Sequence, residues 1–225
     1  MFPINFPRNT GDALMTDITL WGFDGSTYVR TIKMLLVLKG FTHYRQVPLN
    51  VLEGEPRKAE HLARHPFGKV PVLDHGDLRI LETAAIARYL NDVLPGPTLI
   101  PATAAERARM DMSIGIIDSY GYGALIAGVA AYHLFPDFVG GKNEAARRAG
   151  LEAGRKVIDL LMQTKGNAAY IAGELSLADL FLAPIAFYVS LTPDRDHLFG
   201  SPGFSDWWER IQASRAYTST QPNLG

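Results

Sequence analysis

The chain has 225 residues and a formal net charge of −1 with no block of like charge, which argues against a nucleic-acid surface, since such surfaces carry a basic excess. It contains no cysteine, so disulfides, thiolate metal sites and a cysteine nucleophile are excluded. The apolar share of 47% suffices for a sizeable core, and the length fits one large domain or two small ones.

Residues 1–16 lack the basic start and long apolar run of a secretory leader and read as a flexible extension. Ile18 to Phe23 is a short apolar strand. The polar break Asp24-Gly25-Ser26-Thr27 opens a helix from about Tyr28 to Lys39, with Val29, Ile32, Leu35 and Leu36 at helical spacing and Gly40 as its stop. A second strand spans about His43 to Val47. The segment NVLEGEPRK reads as a loop before a short helix, Ala59 to Arg64.

Residues 65–90, HPFGKVPVLDHGDLRILETAAIARYL, organise the chain. Val70-Pro71 opens an apolar strand, where a proline without an N–H is tolerated. If that bond is cis, the chain kinks and the Val70 N–H and C=O are left free to pair with an extended peptide. A turn at Asp74 to Asp77 leads to a second strand, Leu78 to Leu81, and Glu82-Thr83 opens a helix to about Leu94. The first turn of that helix offers unpaired N–H groups and a positive dipole end to a carboxylate, the Thr83 hydroxyl adds a bond, and Glu82 faces an ammonium group. Together these features suit a small peptide with a free carboxylate, although each alone also fits a plain turn or cap.

The order β-α-β-α-β-β-α predicts a thioredoxin-like domain over residues 17–94, its first two strands parallel and its last two antiparallel. Leu94-Pro95-Gly96-Pro97 begins a stiff linker, residues 95–103. Residues 104–225 read as all helical, with segments at about Ala104–Leu134, Glu144–Thr164, Ser176–Ser190 and Phe204–Ser214. Ser119 to Phe135 carries no charged residue. It is shorter than the ~20 residues of a membrane span and reads as a buried helix, so no membrane role is expected. Ser176-Leu177-Ala178-Asp179 has the form of a capping box with aspartate in the fourth place, a folding device.

Four motifs in register resemble the soluble glutathione transferases: GxxxST at Gly22 to Thr27, PFGKVPVL at Pro66 to Leu73, the pair Glu82-Thr83, and IAGELSLADL at Ile171 to Leu180. The resemblance covers about residues 17 to 215, and GEPRKAEHLARHPFGKVP looks most like the serine-type phi class and bacterial relatives. The family's usual Glu-Ser is Glu-Thr here, a histidine common in that class is replaced by Pro56, and Lys69 stands where glutamine is common.

The resemblance implies a cytoplasmic, homodimeric enzyme that uses glutathione as cosubstrate, needs no metal, and conjugates it to apolar electrophiles in detoxification. It implies that Ser26 is catalytic. A thiol of pKa ~8.5 is mostly protonated at neutral pH, and a hydroxyl donating to sulfur beside a helix N-terminus favours the thiolate. Ser26 also suits a helix cap, and Thr27 is a rival hydroxyl. Glu82 and Thr83 are expected to hold the γ-glutamyl end, Val70 and Pro71 to present the backbone edge to the cysteinyl unit, and Arg57, Lys58 and Lys69 to face the glycine carboxylate. The second substrate is expected between the domains, against Ile117, Tyr120, Tyr122 and Leu125, with Phe23 opposite. The glycines of SYGYGALIAG either open space for it or allow close helix packing.

His61 and His65 are four apart on a helix, but with no acidic third ligand between them a metal is not expected. GGKN at Gly140 to Asn143 lacks phosphate-loop spacing. Two alternatives stay open: a non-catalytic binding module of the same fold, and a glutathione-dependent peroxidase, isomerase or lyase.

Overall fold

A computed structural model describes residues 17–223, so the extension expected at 1–16 lies outside the described residues. The chain forms two compact units, residues 17–98 together with 219–223, and residues 99–218.

The first unit is built on a four-stranded sheet in the order β2-β1-β3-β4, with β1 Ile18–Trp21, β2 Arg45–Val47, β3 Val72–His75 and β4 Leu78–Ile80. β1 runs parallel to β2 and antiparallel to β3, and β3 is antiparallel to β4. The parallel pair follows from the intervening helix and the antiparallel pair from the tight turn at Gly76. Helices α1 (Thr27–Leu38) and α3 (Thr83–Val93) pack on each other. Leu20, Val29, Ile32, Leu35, Leu73, Ile86 and Leu90 are fully buried and make the core. Helix α2 is only Ala59–Leu62, and a 3₁₀ turn at Glu55–Arg57 replaces the expected loop just before it. Thr220 of the C-terminal segment belongs with this unit, where its hydroxyl accepts from Arg30 Nε at 3.4 Å.

The second unit is mostly helical, with isolated antiparallel bridges pairing Tyr170 with Gly173 and Ala172 with Glu174. A 31-residue helix, Ala104–Leu134, is its spine. Its hydrogen bonding widens to the π pattern over Ile117–Gly121 and again over Gly123–Ala130, which the sequence did not announce. It packs against Glu144–Lys165 and Leu177–Ser190. Among the described residues it is the one helix long and apolar enough to cross a membrane. Half of its most apolar window is buried inside the fold, and a core helix meets the same test. A Cβ on Gly150 would lie 2.8 Å from the Ala124 carbonyl and 3.1 Å from Gly128 Cα, so Gly128 and Gly150 let two helix backbones touch. Of the two roles open to the glycines of this stretch, Gly128 has the packing one.

The capping box at Ser176 is present, and Asp179 is tied more widely than its motif suggests. Oδ2 accepts from the Ser176 N–H at 2.9 Å, and Oδ1 accepts from the Ile171 N–H at 3.0 Å and the Trp207 indole at 2.9 Å. The Trp207 bond joins the start of Leu177–Ser190 to Phe204–Ala213.

Candidate active site

Four stretches of chain meet at one end of the sheet. Trp21, the last residue of β1, pairs with Val47 at the end of β2 and with Val72 at the start of β3, while Ile80 at the end of β4 pairs with Leu73. The segments holding Ser26, Arg57, Val70 and Glu82 therefore all leave or enter the sheet on the same side. A concavity of about 700 Å³ at the opposite end, lined by Asp17, Thr42, Tyr44 and Arg45 among others, is remote from them.

Ser26 is the N-cap of α1. Its backbone is extended and its hydroxyl oxygen accepts from the Val29 N–H at 3.3 Å. A hydroxyl has one proton and two lone pairs, so capping leaves the Ser26 proton available to a second group. The side chain is half-buried, whereas Thr27, already inside the helix, is only 6% exposed. The loop is braced from below. Asp24 accepts from Lys33 at 2.5 Å and from Gln46 at 2.8 Å, and Gln46 also donates to the Gly22 carbonyl at 2.9 Å. Burial pushes the Asp24 carboxyl up, but those hydrogen bonds outweigh it and hold it below its usual range. No sequence pattern marks Gln46 as their partner.

The Val70-Pro71 bond is cis. Neither the N–H nor the C=O of Val70 enters a backbone hydrogen bond among the described residues. Glu82 has φ +68, a conformation costly for a residue with a Cβ, and its exposed side chain makes no cap bond to α3. Thr83 beside it is buried. Burial lowers the His65 imidazole below its usual value, against the pull of the nearby Glu82 carboxylate.

Arg57 lies against that segment, since a Cβ on Gly68 would be 3.1 Å from its Cδ. Arg57 and Lys69 are exposed and have no acidic partner within ion-pair distance among the described residues, while Lys58 pairs with Glu55 at 3.2 Å. His61 and His65 both turn inward onto backbone: His61 Nε2 lies 2.8 Å from the Lys69 carbonyl and His65 Nδ1 accepts from the Phe67 N–H at 3.3 Å. Among the described residues no group of three or more His, Asp or Glu is placed to hold a metal.

The residues expected to meet a second substrate divide. Tyr120 is 66% exposed and Tyr122 half-buried, its phenol raised by burial. The Phe23 ring lies over Gly25 and is half-buried. Ile117 and Leu125 have almost no exposed surface, and Leu125 fills the space above Gly154, so both are core side chains that present no surface to a ligand.

The family model described as glutathione S-transferase, N-terminal domain, matches residues 16–92. Glutathione S-transferase F10 of Arabidopsis thaliana is 30% identical over 193 residues, 81% of this chain and 86% of the relative. Glutathione S-transferase 4 of Zea mays is 29% identical over 201 residues, 88% of this chain and 89% of the relative. The crystal structure of glutathione transferase F7 from Populus trichocarpa superposes with a TM-score of 0.81 at 25% identity, covering 90% of this chain and 97% of that one. With the thioredoxin-like sheet, the cis-proline edge and the helical second unit in place, the chain belongs to the glutathione S-transferases, as an enzyme of their phi class.

Proposed function

We propose that this transferase activates the glutathione thiol through the Ser26 hydroxyl for attack on apolar electrophiles. The observation that carries the reading is the geometry of Ser26, whose oxygen is engaged by the Val29 N–H while its proton remains to be donated. A donor to sulfur stabilises the thiolate relative to the thiol, and the N-terminus of α1 adds its dipole. Thr27 is the poorer candidate because it is buried within the first turn. Glutathione then lies along the free Val70 edge. Glu82 and Thr83 hold its γ-glutamyl end, and Arg57 and Lys69, with Lys58 shared with Glu55, face its glycine carboxylate. The exposed ring of Tyr120 and the half-buried ring of Tyr122 are the aromatic surface offered to the electrophile. The assembly proposed is a cytoplasmic homodimer, in which Phe67, 70% exposed beside the docking edge, is the apolar group a partner copy covers.

The test is a pH titration of bound glutathione, following thiolate absorbance in wild type and Ser26→Ala. A thiol pKa below the free value of ~8.5 in wild type, returning toward it in the variant, supports the reading. Equal depression in both removes Ser26 from the role, and no binding in wild type favours a non-catalytic module.

A further inference from the structure

We infer that His61 is a positioning residue for glutathione, holding the Lys69–Val70 peptide group so that the Val70 N–H faces the ligand. The inference rests on the reading that the Val70 edge docks the cysteinyl unit. A peptide group is planar, and in the trans form its C=O and N–H point to opposite sides. The cis bond here is the following one, Val70-Pro71. Whatever grips the Lys69 carbonyl from one side therefore aims the Val70 N–H to the other. His61 Nε2 lies 2.8 Å from that oxygen. A carbonyl only accepts, so the proton of this contact is on Nε2 and the imidazole donates.

Burial makes the contact count. His61 is 1% exposed and its Nδ1 has no hydrogen-bond partner among the described residues. The ring thus spends its polarity on one bond, in surroundings of low dielectric where a donor to the carbonyl also polarises the N–H at the far end of the amide. It is too deeply buried to touch the ligand itself.

The neighbouring contacts leave this task to His61. The turn bond from the Gly68 N–H to the His65 carbonyl, 2.8 Å, and the His65 ring on the Phe67 N–H fix the chain as far as Gly68. Gly68, with φ +59, lies so near the Pro56 carbonyl that a Cβ would approach it to 2.7 Å. Beyond Gly68, the His61 bond is the one hydrogen bond among the described residues that holds the peptide group carrying the Val70 N–H.

The experiment compares His61→Phe, which fills the ring's volume without a donor, with His61→Gln, whose amide N–H reaches the same place. Glutathione Kd is measured by calorimetry, and KM and kcat with 1-chloro-2,4-dinitrobenzene. His61→Phe is expected to raise Kd and KM for glutathione about 10-fold, the effect of one hydrogen bond and its alignment, with kcat within about 3-fold of wild type by the same measure. His61→Gln is expected to recover most of the loss. A third protein carries the α-hydroxy acid analogue of valine at position 70, which deletes the N–H. It should lose affinity to a similar degree, and adding His61→Phe to it should cost little more, because both changes act on one peptide group. If the ester weakens binding but His61→Phe does not, the positioning role falls and the docking edge stands. If the ester binds normally, the docking reading itself fails. Should His61→Phe not fold, NMR of the wild type decides: a slowly exchanging Nε2 proton coupled to the Lys69 carbonyl is expected, and an unprotonated Nε2 overturns the inference.

Discussion

A Cβ placed on Gly22 would lie 3.3 Å from the Cβ of Val70 and 2.3 Å from Cγ2 of Val29. Gly22 is therefore where the Ser26 loop and the Val70 edge touch. Its φ of +146 is open to glycine alone, and its carbonyl accepts from Gln46. On the proposed reading, this contact sets the distance between the Ser26 hydroxyl and the Val70 backbone.

Gly22→Ala is accordingly expected to lower kcat/KM by about 10²-fold, the penalty typical of a misplacement near 1 Å at a reacting centre. The fall should exceed what partial unfolding explains, which circular dichroism at the assay temperature checks. Wild-type kinetics in a folded Gly22→Ala protein would separate the loop from the edge.

The pieces of this site were legible in the sequence as short signals, each tied to a local backbone need: proline at the head of a strand, a polar break before a helix, an acid-hydroxyl pair at another. Val70 and Glu82 stand out that way; the same signal marks Ser26 only as a helix cap, and its catalytic role comes from the family resemblance. What joins them was not legible. That Gln46 bridges Gly22 and Asp24, or that the Trp207 indole seeks Asp179 across 28 residues, depends on where elements come to lie. Ile117 and Leu125 show the converse. The resemblance places them with Tyr120 and Tyr122 against the second substrate, but apolar side chains on a helix satisfy a core equally well, and both are buried. The π-pattern hydrogen bonding of the long helix is likewise a backbone property with no side-chain signature.

Arg57 and Lys69 are expected to contribute to glutathione affinity through one carboxylate. Arg57→Gln or Lys69→Gln should raise KM for glutathione about 3- to 10-fold, as for a charge-assisted hydrogen bond partly screened by solvent, with kcat little changed. Lys58→Gln should act less, because Lys58 already pairs with Glu55. Glutathione monoethyl ester, blocked at the glycine carboxylate, is the control. If Arg57→Gln and Lys69→Gln weaken the ester as much as the acid, they act elsewhere.

Asp179 bears on folding rather than on the ligand. It is completely buried and accepts from Ser176, Ile171 and Trp207. Asp179→Ala orphans those donors and should cost about 3–5 kcal/mol, as when a buried polar network loses its centre, while glutathione Kd in the folded fraction stays within about twofold. Burial pushes the Asp179 carboxyl up despite its hydrogen bonds. A raised folded-state pKa contributes stability that is fully present below the unfolded value and lost as pH rises through the folded one. The gap between wild type and Asp179→Ala should therefore widen as pH falls toward 4, and thermal unfolding at several pH values reads it directly.

Asp194 should show the opposite dependence. Arg147 donates to both its oxygens, through Nε at 2.7 Å and through Nη2, and His133 Nε2 lies 2.8 Å away. The Arg147 bonds hold the carboxyl below its usual value of 3.8 even though burial opposes them. A depressed folded-state pKa contributes stability that is present above the unfolded value and disappears as pH falls through the folded one. Asp194→Asn keeps the shape and removes the charge, so it should cost about 1–2 kcal/mol at pH 7 and lower Tm by about 2–8 °C. The difference should hold down to about pH 4 and then close on further acidification, as the wild-type carboxylate itself takes up a proton. A gap that stays constant to pH 2 would mean that the charge of Asp194 contributes nothing, leaving shape and neutral hydrogen bonding as the source of its stability.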